Sequence, residues 1–269
     1  MSRRSHRTAI ANNKGGVGKT ASTVNLAAAL ARQDRRVLVV DMDPQANTTR
    51  RLATRLGEDS PTVSEVIASA AKGCAADAIV TCGWDVDYAS RISIIPSAPD
   101  LANRGGELHL LGAVRRLAKA LTGVDDDYDA TLFDCEPSLG HLTQLVMAAA
   151  DDVLTVVEPE YDAVESAIRL KDFIEGARED LGNPDLRVLG YLLSRVRDTL
   201  GAHKFQLAGL PAMFGDGMVW EPGIPERAAI KDANESAAPV EFAGPVGREV
   251  AALYDAIALR YLTAVGVPA

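Results

Sequence analysis

The stretch Asn13-Lys14-Gly15-Gly16-Val17-Gly18-Lys19-Thr20 decides how this chain folds, because its glycines free the backbone to bind something. In such a loop successive N–H groups turn inward and form a concave anion site. The alanine-rich stretch Lys19 to Ala31 reads as a helix, and its N-terminus adds the positive end of a dipole at the same spot. Lys19 supplies a mobile charge for β- and γ-phosphates, and the Thr20 hydroxyl can ligate Mg²⁺. A beta-rich run, Arg7 to Ala11, comes before the loop, so the order is strand, loop, helix. A loop built for structure alone would not need Gly-Lys-Thr at its end. Nucleotide binding with Mg²⁺ is therefore expected along residues 13–20.

Outward from the loop, short apolar runs recur at Arg36–Val40, Ile92–Ile95, Ala130–Phe133, Val153–Val157 and Leu186–Leu193. Runs of this kind suit strands buried on both faces. Helical segments lie between them at Leu108–Leu121, His141–Ala150 and Ala163–Leu181, and the alternation predicts a three-layer α/β fold, a mostly parallel sheet flanked by helices. One domain over residues 1–269 is expected, with 1–6 as a loose basic tail. The segment Leu200–Asp216 mixes Gly, Pro and polar residues and is hard to place, and Pro222–Pro225 reads as a turn.

Composition narrows the function. A net charge of −9 argues against a basic nucleic-acid coat but leaves room for a local patch. Cys74, Cys82 and Cys135 form no CxxC pair, which suits a reduced, cytoplasmic protein. No apolar run reaches the ~18–20 residues of a membrane span. The last helix, about Val246–Leu262, carries an apolar stripe with few basic residues beside it, which favours core packing over a membrane foot.

Two acidic clusters close predicted strands. Asp41-Met42-Asp43-Pro44-Gln45 follows the second strand, and carboxylates at the carboxyl edge of a parallel sheet face the ligand site. Thr131-Leu132-Phe133-Asp134 is an apolar strand ending on an acid, the pattern that sets a carboxylate near Mg²⁺. Cys135 beside it reads as a small buried residue.

With Asn13 in place of the first glycine and a second lysine at Lys14, the loop resembles the deviant Walker A family of ParA and MinD ATPases, marked by KGGVGKT. The resemblance implies that Lys14 reaches across a homodimer interface to the partner's phosphates, as an arginine finger does. It implies that Asp43 orients the attacking water, that Asp41 lies near the metal's water shell, and that Thr20 and Asp134 serve the metal. Ala21 stands where relatives commonly have threonine; its N–H can meet the α-phosphate, but it offers no hydroxyl. Ser194 and Arg195 stand where relatives often carry an asparagine that reads adenine. Ile224-Pro225, Ala233 and Pro239-Val240 resemble the segment that wraps the base, with Pro225 and Arg227 expected at base and ribose.

Three readings follow. In the first, resembling the smaller ParA proteins, an ATP-bound dimer holds nonspecific DNA and a ParB-like partner triggers hydrolysis, on the nucleoid and away from membranes. Arg195, Arg197, Lys204, Arg227, Lys231 and Arg248 lie in the region where relatives hold DNA, with acidic residues among them. The second reading is a MinD-like membrane regulator, and the third a P-loop metabolic enzyme or iron–sulfur reductase.

Overall fold

The strand sequences are apolar at consecutive positions because the sheet they form is covered on both faces. The computed structural model describes residues 4–57, 59–110, 112–197 and 199–267. Among the described residues eight strands form one sheet: β1 (His6–Ala11), β2 (Val37–Met42), β3 (Val80–Thr81), β4 (Ile92–Ile95), β5 (Ala130–Cys135), β6 (Asp152–Val157), β7 (Arg187–Leu193) and β8 (Val219–Trp220). Their order is β3-β4-β2-β5-β1-β6-β7-β8, and every pairing is parallel except β3 with β4.

The helices are α1 (Lys19–Arg32), α2 (Asn47–Arg51), α3 (Val63–Ser69), α4 (Arg116–Ala120), α5 (His141–Ala149), α6 (Tyr161–Ala177), α7 (Gly201–Phe214), α8 (Ala228–Ser236) and α9 (Gly244–Ala264). Successive side chains of a strand enter opposite layers, as the pleat requires. On β2, Val37 and Val39 pack in the layer that holds α1 and α9, while Leu38, Val40 and Met42 pack in the layer that holds α3, α4 and α5. The alanines of α1 let its backbone lie close to the sheet: Ala27, Ala29 and Ala31 are fully buried.

The chain leaves central β1, passes through α1 and returns as β2 on the far side of β5. That reversal opens a crevice at the carboxyl ends of the strands, where open α/β sheets hold ligands. β1 is tied down beneath it: Arg7 forms a buried bidentate pair with Asp125 at 2.6 and 2.7 Å.

Three expectations change. Residues 1–6 are not all loose: Arg4 pairs with Asp151 at 2.5 and 2.9 Å, Ser5 is buried and β1 starts at His6. Residues 1–3 lie outside the described residues. The helix expected over Leu108–Leu121 reduces to α4 preceded by 3-10 turns at Pro99–His109 and Ala113–Arg115; Gly112, at φ 69°, breaks the helical path. The unplaced stretch 200–216 is instead helix α7, with Pro211 inside it. Burial overrides the breaker: Leu210 and Phe214 enter a small core, and Phe214 stacks on Tyr191 with centroids 3.7 Å apart.

The wide aromatic of β8 needs a glycine opposite. A Cβ on Gly190 would stand 2.1 Å from Trp220 Nε1, and Trp220 is fully enclosed. Gly190→Ala is therefore expected to lower stability by about 1–3 kcal/mol, read as a lower urea midpoint at unchanged slope.

Candidate active site

Helix α1 begins in an unusual way. Gly18 precedes it at φ 96°, no side chain caps its free N–H groups, and its first turn has no acid. Four backbone donors at a helix start need partners. Here they face a cavity of about 360 Å³ lined by Gly15, Gly16, Gly18, Lys19, Thr20 and Ala21 on the loop side. A phosphate chain completes this end physically, because it meets the donors and the dipole together.

Lys19 is buried and donates to the Lys14 carbonyl at 2.9 Å, so its ammonium curls into the loop. Burial holds its pKa below that of a free lysine, against the opposing pull of Asp134. Asn12, which the sequence reading passed over, braces the loop from below. Its Nδ2 donates to the Val156 carbonyl at 2.8 Å, and its Oδ1 accepts the Lys14 N–H at 2.9 Å. A buried asparagine at the end of an apolar strand was the available signal.

Asp41 and Asp134 pair in register one residue before the ends of adjacent strands, and both are fully buried. Asp134 Oδ2 accepts the hydroxyls of Thr20 (2.8 Å) and Thr48 (2.6 Å), and Oδ1 accepts Thr23 at 3.2 Å. A carboxylate buried on hydroxyls alone is poorly compensated, and burial raises its pKa. A divalent cation beside Thr20 would supply the missing charge, so this donor set fits Mg²⁺. Asp41, beside Asp134, has partners of its own. Its Oδ2 accepts the Thr49 N–H (2.8 Å) and hydroxyl (2.7 Å), and Oδ1 accepts the Asp43 N–H at 3.2 Å. It anchors the loop that carries Asp43, and burial followed by the charge of Asp134 pushes its pKa up to about 7.

Asp43 lines the cavity. Its Oδ1 accepts the Gln45 N–H at 2.9 Å and its carbonyl accepts Ser97 Oγ at 2.8 Å. Asn47 and Arg51, both from α2, complete that wall. Ile224, Pro225, Arg227 and Ile230 also line it, so Pro225 and Arg227 do meet the cavity. Ser194 also lines it, but its hydroxyl donates to the Val17 carbonyl, which makes it a support for the loop. Asn13, Lys14 and Val17 are not among the lining residues, and Val17 is buried in the core.

The basic residues divide into two sets. Arg195 donates to Glu158 at 3.1 Å, to Glu226 at 2.9 Å and to the Gly16 carbonyl at 3.4 Å. Arg197 takes the other oxygen of Glu226 at 2.5 Å. Lys204, Lys231 and Arg248 are exposed and make no ion pair among the described residues; Lys231 stands on the cavity rim. Lys14 pairs with Glu160 at 3.4 Å.

Known proteins resemble this chain in sequence and in fold. A sequence family described as an AAA domain matches residues 5–188. The chromosome-partitioning ATPase Soj of Thermus thermophilus is 38% identical over 228 residues, covering 84% of each chain. The sporulation initiation inhibitor protein Soj of Bacillus subtilis is 33% identical, covering 89% of this chain and 92% of the relative. The chain belongs to the ParA/Soj family of P-loop ATPases. Among solved structures, an ATP complex of Cyanothece McdA superposes with a TM-score of 0.84 at 23% identity, over 99% of this chain and 98% of that one. A cobyrinic acid a,c-diamide synthase from Mycobacterium smegmatis, solved with ADP and magnesium, gives 0.77 at 28% identity, over 96% and 94%.

One further cluster in this ParA/Soj chain has the composition of a metal site: Glu158, Glu160 and His203 bring ligand atoms within 4.8 Å of one another. His203 Nδ1 accepts the Arg197 N–H at 3.1 Å, which leaves the ring proton on Nε2, the atom facing the two glutamates. With no lone pair there, and with Arg195 already on Glu158, the cluster is a charge network. Cys135, whose thiol burial pushes far up, is likewise inert packing.

The raised pKa of Asp41 has a sign. The folded chain binds this proton more tightly than the unfolded chain, so the contribution is complete below the ordinary carboxyl value and is lost as pH rises to about 7. In thermal melts of nucleotide-free protein, Asp41→Asn is expected to flatten the fall in midpoint between pH 5 and pH 7.5 relative to the parent chain.

Proposed function

We propose that this ATPase is a partition motor: ATP and Mg²⁺ close two copies face to face, the dimer holds DNA without sequence preference, and a ParB-like partner speeds hydrolysis to move a chromosome or plasmid. The observation that carries the reading is Lys14. It is rooted in the phosphate loop, yet it stays out of the loop's own cavity and pairs instead with Glu160, 28% and 43% exposed respectively. A lysine placed so is available to a nucleotide held by a second copy.

Within one copy, Lys19 and the uncapped start of α1 bind the phosphates, and Asp43 orients water at their end. Thr20 and Asp134 would hold magnesium, which would supply positive charge to offset that of the phosphates. Asp41 keeps the Asp43 loop in place. Pro225 and Arg227 enclose the base and ribose. The chain would work in the cytoplasm, on the nucleoid when ATP is bound; no described helix is long and apolar enough to cross a membrane.

For DNA, the exposed Lys204, Lys231 and Arg248 are the first contacts, with Arg195 and Arg197 joining once Glu226 yields them. Phosphate contacts make binding fall steeply with salt.

Lys14→Ala is expected to keep ADP affinity within a fewfold while abolishing the ATP-dependent dimer in light scattering; an intact dimer would remove the role of Lys14 in trans. Asp43→Ala should accumulate an ATP-bound dimer whose turnover drops at least a hundredfold, on the order of losing a water-positioning or charge-stabilising group. Random duplex DNA should be retarded only with ATP. Lys204→Ala with Arg248→Ala should weaken binding equally for all sequences and lower the salt slope by about one per lost contact. Pelleting with liposomes would instead favour a membrane regulator, and ATP turnover that required cobyrinic acid would favour a synthase.

A further inference from the structure

Arg51 is the cation of the active site that the family motifs leave without a task. It ends α2, directly after the loop of Asp43, and lines the nucleotide cavity. Its backbone is fixed: its carbonyl accepts Trp84 Nε1 at 2.9 Å, and the next residue, Leu52, is fully buried. The side chain is another matter. Nε is buried away from water and has no hydrogen-bond partner, and among the described residues no carboxylate lies within ion-pair distance of the guanidinium. Three other partly or wholly buried arginines have carboxylate partners: Arg7 has Asp125, Arg32 has Asp255 and Glu241, and Arg195 has Glu158 and Glu226. A buried guanidinium N–H left unpaired is costly, which marks a place where an anion binds.

The position says which anion. The phosphate loop, Asp43, Arg51 and the stretch from Ile224 to Ile230 all line this one cavity. Arg51 stands on the cavity wall where α2 meets α8; its neighbour Arg50 donates across that junction to the Asn234 carbonyl at 3.3 Å. A nucleotide stretched from Lys19 to Pro225 passes this wall with its α-phosphate and ribose. At the start of α1, Ala21 lines the same cavity and offers no side-chain donor.

We propose that Arg51 is a positioning residue that donates to the α-phosphate of the bound nucleotide, supplying from α2 the side-chain contact that Ala21 cannot make. The inference rests on the ATPase reading. It also ties the Asp43 loop to a phosphate that ATP and ADP share, so this contact holds α2 in both nucleotide states.

Calorimetric titration with ADP and with a non-hydrolysable ATP analogue tests it on the full chain. Arg51→Met keeps the apolar stem and removes the donors. It is expected to weaken both nucleotides by the same factor, about ten- to a hundredfold for a charge-assisted bond, while the melting midpoint of nucleotide-free protein holds or rises, because an unpaired buried donor has been removed. Arg51→Lys should fall between. Adding Ala21→Thr to Arg51→Met should recover part of the loss for both ligands. A loss confined to the ATP analogue would move the contact to the γ-phosphate and overturn the proposal. Unchanged affinity would also overturn it, as would a loss that tracks a lowered melting midpoint and ignores Ala21→Thr. If the parent chain bound neither nucleotide, the ATPase reading itself would fall; if the parent binds and Arg51→Met binds equally, only this inference does.

Discussion

The active end of the molecule is organised by two acids that have no good reason to be buried. Asp41 and Asp134 close neighbouring parallel strands side by side, sealed from water, with hydroxyls and backbone N–H groups as their only partners within bonding distance. Like charges at that range raise each other's proton affinity. The arrangement is tolerable because everything around it leans towards the acids: Thr20 and Thr23 from α1, Thr48 from the start of α2, and Thr49 one residue further on. The phosphate loop and the Asp43 loop are thereby referred to the same pair of strand ends. Movement of either loop disturbs hydrogen bonds to a buried carboxylate, and the two are coupled without touching each other.

Beneath that pair, the support is equally specific. Asn12 spans from the Val156 carbonyl to the Lys14 N–H, and Ser194 reaches up to the Val17 carbonyl. The loop whose glycines confer freedom is thus braced from β1 and β7. A phosphate site needs donors already aimed when the ligand arrives, and this bracing lowers the ordering entropy that binding would otherwise cost.

Much of this was legible in the amino-acid order. The glycine-rich loop, the strand runs and the two terminal acids are local signals, since each depends on residues within a few positions of one another. Ile92–Ile95 is the strand that its three isoleucines predict. What the order hides is partnering over distance. Arg195 and Arg197 look like free cations until the fold brings Glu226, some thirty positions on, between them. Helix α7 is obscured by Pro211, because only the core that takes up Leu210 and Phe214 makes the helix worth keeping. Arg51 looks like any surface arginine after another; its isolation is visible only once α2 is laid against the cavity. Asp41 shows the same limit in reverse, for its type and place were readable, while its use as an anchor for Thr49 and Asp43 needed coordinates.

The ion pair between Lys14 and Glu160 bears on how firmly two copies could hold each other. A cation that enters an interface from bulk water contributes its whole new attraction, less dehydration. One that first abandons a carboxylate contributes only the difference between two anions. Association by exchange of this sort yields a modest net affinity from strong individual contacts, and it leaves a ready destination for the lysine once the nucleotide is spent. Such a clasp opens as easily as it shuts, which is what repeated cycling demands.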